Sequence, residues 1–224
     1  MKEAIGQVLS LGVGVAVSPI PIIAVVLMLA TPRARSNGPA FVLGWIVGLA
    51  VVGAIVLLVS DGVDASSDGE PATWVSVLEL VLGALLLLLG VHGWRGRPRR
   101  GDHDATLPTW MQTIDGFGTP KALAAGGLLS GVNPKNLLLT VAAAAAIAQT
   151  GIDTGEQAVA LAIFVLVATV GVAAPVVVYF ALGSRSRETL DGMKAWMAAN
   201  NAAIMAVLML VIGTKLLGDG IAGL

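Results

Sequence analysis

The chain is 224 residues long, with 56% of them hydrophobic, 12% charged and a formal net charge of −1. A soluble domain carries about 25% charged residues, so this composition, with a mean hydropathy of +0.88, excludes an ordinary water-soluble globule, and the near-neutral balance gives no footing for nucleic acid. The lack of cysteine excludes disulfides and thiolate metal sites, and two histidines, His92 and His103, are too few for a histidine-rich metal site, so no cofactor is expected.

A membrane span needs about 20 mainly apolar residues. Six segments qualify, at 4–30, 39–60, 72–94, 121–149, 157–182 and 200–218, and the expected fold is an all-α membrane protein. The first follows Lys2 and runs past Ala16-Val17-Ser18, a weak signal-peptidase pattern. Pro19 would follow such a cut and the apolar run continues to Ala30, so the segment reads as a retained membrane helix. At its middle stands Ser18-Pro19-Ile20-Pro21. Segment two carries Ala40, Gly44 and Gly48 at four-residue spacing, a small-residue stripe that permits close helix approach within the protomer or in a homodimer. Segment three holds Glu79 about two turns in, close enough to the end to snorkel outward. Trp74 and Trp94 flank it and suit interfacial anchoring. Segment four is interrupted by Asn133-Pro134-Lys135-Asn136 and continues through Thr140 into the alanine run at 142–146, which reads as tight packing. Pro175 in segment five reads as a packing kink. The stretch 185–199, with Leu190, Met193, Trp196 and Met197 on one side, is either an amphipathic surface segment or a solvated connection.

The loops set the orientation. Arg33 and Arg35, then Arg95, Arg97, Arg99 and Arg100, then Arg185, Arg187 and Lys194 fall on one side. Asp61, Asp64, Asp68 and Glu70, with Asp153 and Glu156, fall on the other. The positive-inside rule places the first set in the cytoplasm and both termini outside, in a multi-pass protein of the cytoplasmic membrane. Pro19 and Pro134 are 115 positions apart (134 minus 19). That shift lays segment one on segment four and segment two on 154–175, while segment three overlaps segment six only in part. Three spans is an odd number, so the second copy would be inverted, as in alternating-access transporters. The expected organisation is a single domain over 1–224, with repeat one at about 1–94, a basic linker at 95–120 and repeat two at about 121–224.

Proline removes a backbone donor and clashes with the preceding turn, so helices one and four should break at mid-membrane. Ser18 and Asn133 suit N-caps, and proline suits the first helical position. Each motif therefore opens a half-helix whose free N–H groups and positive dipole end favour an anion. Lys135 adds a full charge in the first turn of the second half-helix, where it needs a carboxylate, a phosphate or deprotonation. Lys135 and Glu79 are the ionisable residues clearly inside the spans, and such residues are functional candidates. The bland alternative is a Glu79–Lys135 ion pair that holds spans three and four together. Asn136 and Thr140 suit polar lining or bonds to a neighbouring helix.

These residues carry a resemblance. Asn133-Pro134-Lys135 opening a mid-membrane half-helix, with Ser18-Pro19-Ile20-Pro21 as its first-helix counterpart, resembles the LysE/RhtB superfamily of six-span exporters. Three stretches resemble more closely its actinobacterial Sap or GAP branch, the sulfolipid- and peptidoglycolipid-addressing proteins: Ser18-Pro19-Ile20-Pro21-Ile22 with Val26-Leu27-Met28-Leu29, the stretch from Phe41 to Gly44-Trp45, and Asn133-Pro134-Lys135-Asn136-Leu137-Leu138-Leu139. The resemblance implies a protein that helps move a lipid or glycolipid toward the cell envelope, with Ser18, Pro19, Pro21, Asn133, Pro134 and Lys135 lining a central site. No GxxxxGK[ST] motif is present, so an ion gradient, the substrate's own gradient or a partner enzyme would drive transport. Glu79 is a candidate carrier of a coupling proton. The leading reading is a non-enzymatic exporter of an anionic envelope lipid. The alternatives are an exporter of a small hydrophilic solute such as an amino acid, and a scaffold recruiting lipid-biosynthesis enzymes through the basic loop at 95–100.

Overall fold

The computed structural model describes residues 1–61, 66–67, 70–71, 73–95, 113–114 and 116–224. Of the loop charges used for orientation, Asp64, Asp68, Arg97, Arg99 and Arg100 lie outside the described residues, as do His103 and most of the basic loop at 95–100. Among the described residues run eight α-helices: α1 Lys2–Ala16, α2 Pro19–Leu29, α3 Ala34–Asp61, α4 Thr73–Arg95, α5 Thr119–Gly131, α6 Pro134–Gln149, α7 Thr154–Leu182 and α8 Ser186–Ala222. Two-residue strands, Ser66–Ser67 and Glu70–Pro71, pair antiparallel between α3 and α4.

Four helices (α3, α4, α7 and α8) are long and apolar enough to cross a membrane, and the bent pair α1–α2 is long and apolar enough to make a fifth if it forms one span. The bend is 53°, and its cause is in the sequence. Pro19 and Pro21 have no N–H to offer the carbonyls four residues earlier, Val15 and Val17, so the ladder stops and restarts. The expected fourth span, 121–149, is likewise divided: α5 ends at Gly131, Asn133 is extended, and α6 begins at Pro134. The stretch 185–199 is neither a separate surface segment nor a plain connection, because α8 runs unbroken for 37 residues. At about 1.5 Å per residue it reaches roughly 55 Å, well beyond a hydrocarbon core of about 30 Å. Gly192 costs a helix about 1 kcal/mol; burial of Leu190 and partial burial of Met193 and Met197 hold the helix through it, while Trp196 is exposed.

The helices pair α3 with α5, α1 with α7 and α4 with α8. The small-residue stripe of segment two is used inside the protomer: a Cβ on Gly44 would run into the Leu123 carbonyl, and one on Gly48 into Ser130 and Gly127 of α5. The mirror arrangement occurs between α1 and α7. Gly126 of α5 abuts the Phe41 carbonyl, while Gly12 of α1 lies against the Phe164 carbonyl of α7. Seven residues after each phenylalanine a glycine, Gly48 or Gly171, meets the residue four beyond the first glycine, Ser130 or Ala16. The octapeptides 41–48 and 164–171 share Phe-Val-Leu at the start and Val-Gly at the end, five residues of eight. Phe41, Trp45 and Phe164 are fully buried, and the Trp45 indole N–H donates to the Ala168 carbonyl at 3.3 Å. The alanine run at 142–146 is buried throughout.

Candidate functional site

Both helix breaks meet at the first turn of α6. Pro134 occupies the first helical position, where its missing donor costs nothing, and sets Lys135 and Asn136 on the buried side of the next two positions. The Lys135 ammonium donates to the Gly14 carbonyl at 2.7 Å and to the Ser18 hydroxyl at 2.7 Å, with a longer approach of 3.4 Å to the Val17 carbonyl. Three donors thus find three acceptors. The two carbonyls among them belong to the orphaned carboxyl end of α1, where the helix dipole is negative. In place of a side-chain carboxylate, the ammonium meets backbone carbonyls that Pro21 and the end of α1 leave open.

Ser18 does not cap α2, and Asn133 does not cap α6. The Ser18 hydroxyl faces backwards, with its single proton placed between the Val15 carbonyl at 2.6 Å and Asn136 Oδ1 at 3.0 Å. Val15 is the carbonyl that Pro19 deprived of its donor, so serine repairs one half of the damage and lysine the other. Asn136 Nδ2 donates to the Leu129 carbonyl at 2.9 Å, closing the carboxyl end of α5. One helical turn, Lys135-Asn136, therefore caps both broken helices. Charge-assisted bonds of this kind each contribute about 1.5–3 kcal/mol.

Of the residues expected at the centre, Ser18, Lys135 and Asn136 are joined directly and are buried, and Pro19 and Pro21 are buried beside them. Asn133 is half-buried and Pro134 is exposed, so neither is drawn into the hydrogen-bonded cluster. Thr140 bonds back to the Asn136 carbonyl on its own helix at 2.8 Å, neither lining a cavity nor reaching a neighbour. The gap beside Lys135, lined by Leu86, Leu139, Leu208, Met209 and Ile212, is too small for a water molecule.

Glu79 is buried and accepts from Gln149 Nε2 at 3.0 Å. Among the described residues it does not pair with Lys135; the ion pairs there are Lys194–Asp191 and Lys215–Asp219. Depth explains the separation. Gln149 lies 14 residues along α6 from Lys135, roughly 21 Å at the helical rise, so Glu79 belongs to one end of the bundle and Lys135 to its interior. The sequence reading missed Gln149 as the partner of Glu79, and the Gly14, Val15 and Val17 carbonyls as hydrogen-bond acceptors. The second omission had a signal: each proline in a helix names the orphan four residues before it.

Long apolar helices, one sharply broken, with a buried cation fixed where two helices end, define a multi-pass α-helical membrane protein with an interior polar site. The model of one family, described as "Sap, sulfolipid-1-addressing protein", matches residues 8–222, and the chain belongs to that family. No curated protein and no solved structure matches it.

Proposed function

We propose that this chain is a secondary transporter that moves an anionic lipid, glycolipid or envelope precursor across the cytoplasmic membrane. The observation that carries the reading is the Lys135 cluster: a buried cation held by weak carbonyl acceptors at the meeting point of two broken helices, in a family whose description concerns a sulfolipid. A sulfate or phosphate group is a far stronger partner for ammonium than a carbonyl. Such a headgroup would draw Lys135 from Gly14 and Val17, release the carboxyl end of α1, and meet the free N–H groups at the starts of α2 and α6. The near-closed gap beside Lys135 is then the substrate-free state, opened only by a ligand that binds the open form better.

The architecture proposed with it is six spans in two inverted three-helix repeats, α1–α4 and α5–α8, on the LysE/RhtB plan. The reciprocal pairings α1 with α7 and α5 with α3, the mirrored Phe–Gly contacts and the self-paired α4 and α8 support a pseudo-two-fold relation. The basic loops would face the cytoplasm and both termini the outside. The lining beside Lys135 is otherwise aliphatic, which suits an acyl chain and argues against a hydrophilic solute.

The test is lipid translocation in proteoliposomes. Fluorescent phosphatidylglycerol or a sulfated glycolipid should cross at a rate above that of protein-free vesicles, with phosphatidylcholine left behind. Movement of amino acids without lipid movement would overturn the reading. A role for Glu79 in coupling is tested in the same vesicles. Glu79→Gln keeps an acceptor for Gln149, so fold and unforced flux should persist while acceleration by an imposed proton gradient disappears. An unchanged gradient response removes Glu79 from the mechanism.

A further inference from the structure

A second polar site lies at the other end of α2, at the corner where the α2–α3 turn meets the α7–α8 turn. The cavity there has a volume of about 390 Å³, within the range of small-molecule sites. Its floor is Val26 and Leu29 of α2, and its polar wall carries Arg35, Arg187, Ser186 and Asp191, with Tyr179 beside them. Arg35 and Arg187 are 152 positions apart in sequence (187 minus 35) and converge on one hollow. Among the described residues neither arginine is in an ion pair; Asp191 is engaged by Lys194 at 3.1 Å. With two arginines and one acid whose charge is already answered, the hollow is cationic. The Ser186 hydroxyl donates to the Gly183 carbonyl at 2.7 Å and keeps its lone pairs. Tyr179 and Phe180 stand edge to face, with centroids 5.3 Å apart, and an aromatic pair at the end of a span marks headgroup depth.

Arginines outside a span are also what a topology signal supplies. A topology signal requires only that the charge stay on one side. It does not require two guanidinium groups from distant segments to share a cavity floored by the half-helix that starts at Ser18-Pro19. A guanidinium fork matches a sulfate or phosphate in two-point geometry, and the apolar floor leaves room for the first carbons of a tail.

We propose that this corner binds the sulfate- or phosphate-bearing headgroup of a membrane lipid, as the entrance to the Lys135 cluster about 16 Å away along α2. The proposal rests on the transporter reading for its purpose, and on the cavity and its two arginines for its chemistry. Arg35 and Arg187 take the anion from the leaflet, and the headgroup then slides along α2 toward Lys135.

The experiment is a binding isotherm for the purified full chain in detergent, with dihexanoyl-phosphatidylglycerol, dihexanoyl-phosphatidylcholine and inorganic phosphate as probes. The expected result is saturable binding of the phosphatidylglycerol, weakened at least about tenfold by Arg35→Gln with Arg187→Gln, and untouched by Arg185→Gln, an exposed neighbour outside the cavity. Both cavity arginines are exposed, so the double variant should melt as the wild type does. Equal affinity in wild type and double variant overturns the site, and so does an equal loss in Arg185→Gln, which would mean diffuse surface charge. Inorganic phosphate binding as tightly as the lipid overturns the lipid source in favour of a free anion. Lys135→Met separates the two readings. Corner binding kept with translocation lost supports both, whereas translocation kept in Lys135→Met but lost in the arginine variant removes the Lys135 reading and leaves the corner standing.

Discussion

Lys135→Met is expected to stop translocation of an anionic lipid and to lower the melting temperature of the purified protein. Methionine fills nearly the same volume without donors, so the Gly14 and Val17 carbonyls and the Ser18 hydroxyl lose their partner inside an apolar bundle. The loss of charge-assisted bonds is worth about 3 kcal/mol, on the order of 10 °C for a chain of this length. One opposing effect has a known sign: burying the ammonium already costs the native state, and deleting a buried charge sometimes stabilises. A melting temperature that rises while translocation vanishes would show that the cation is kept for its ligand at the expense of stability. Thermal unfolding followed by circular dichroism, run beside the vesicle assay, reads both quantities. If both match the wild type, the cluster is neither a latch nor a binding site. Lys135→Arg should not rescue, because the gap beside the side chain holds not even a water and a guanidinium adds bulk as well as charge.

The features of this fold that follow local rules could be read from the chain. Pro19 and Pro134 each remove a donor whatever surrounds them, so the break after α1 and the division between α5 and α6 were expected where they occur. Burial of the alanines at 142–146 likewise follows from side-chain size. What escaped the sequence depends on partners far along the chain. Lys135 was expected to need a carboxylate, a phosphate or deprotonation because its own half-helix repels it. The answer comes from the end of a different helix, 118 positions away at Val17, and only the packing of α1 on α6 brings it there. Ser18 was read as a cap for the helix ahead, yet the stronger demand lay behind it at Val15, where a proline had stripped the donor. The likeness of 41–48 to 164–171 was also missed: a shift of 115 aligns the prolines, while Phe41 and Phe164 are 123 positions apart (164 minus 41). No single offset therefore aligns both the prolines and the phenylalanines. The long α8 was cut short at 200 because hydropathy marks where a helix enters lipid and does not mark where the helix begins.

Gly171→Val is expected to be the most damaging substitution outside the polar cluster. A Cβ at this position would overlap the Ala16 carbonyl oxygen, and the next atoms in its way are also Ala16 backbone, which cannot swing aside as a side-chain tip can. Helix α7 must therefore move off α1, and overpacking of this kind costs about 1–3 kcal/mol or more. The consequence reaches the site because Ala16 is the last residue of α1, and the carbonyls flanking it, Val15 and Val17, are those held by Ser18 and Lys135. Gly48→Val should do comparable harm in the other half, where the obstacle is Ser130 and the Gly127 backbone. Gly192→Ala provides the contrast. Nothing lies within 4 Å of a Cβ there, and the helix gains about 1 kcal/mol of propensity, so the protein should melt slightly higher with its transport unchanged. Melting temperatures of the three variants, measured in one detergent, give the comparison. If Gly171→Val were as stable as the wild type, α1 and α7 would not be in backbone contact, and the carboxyl end of α1 could not be the fixed acceptor that the Lys135 cluster requires.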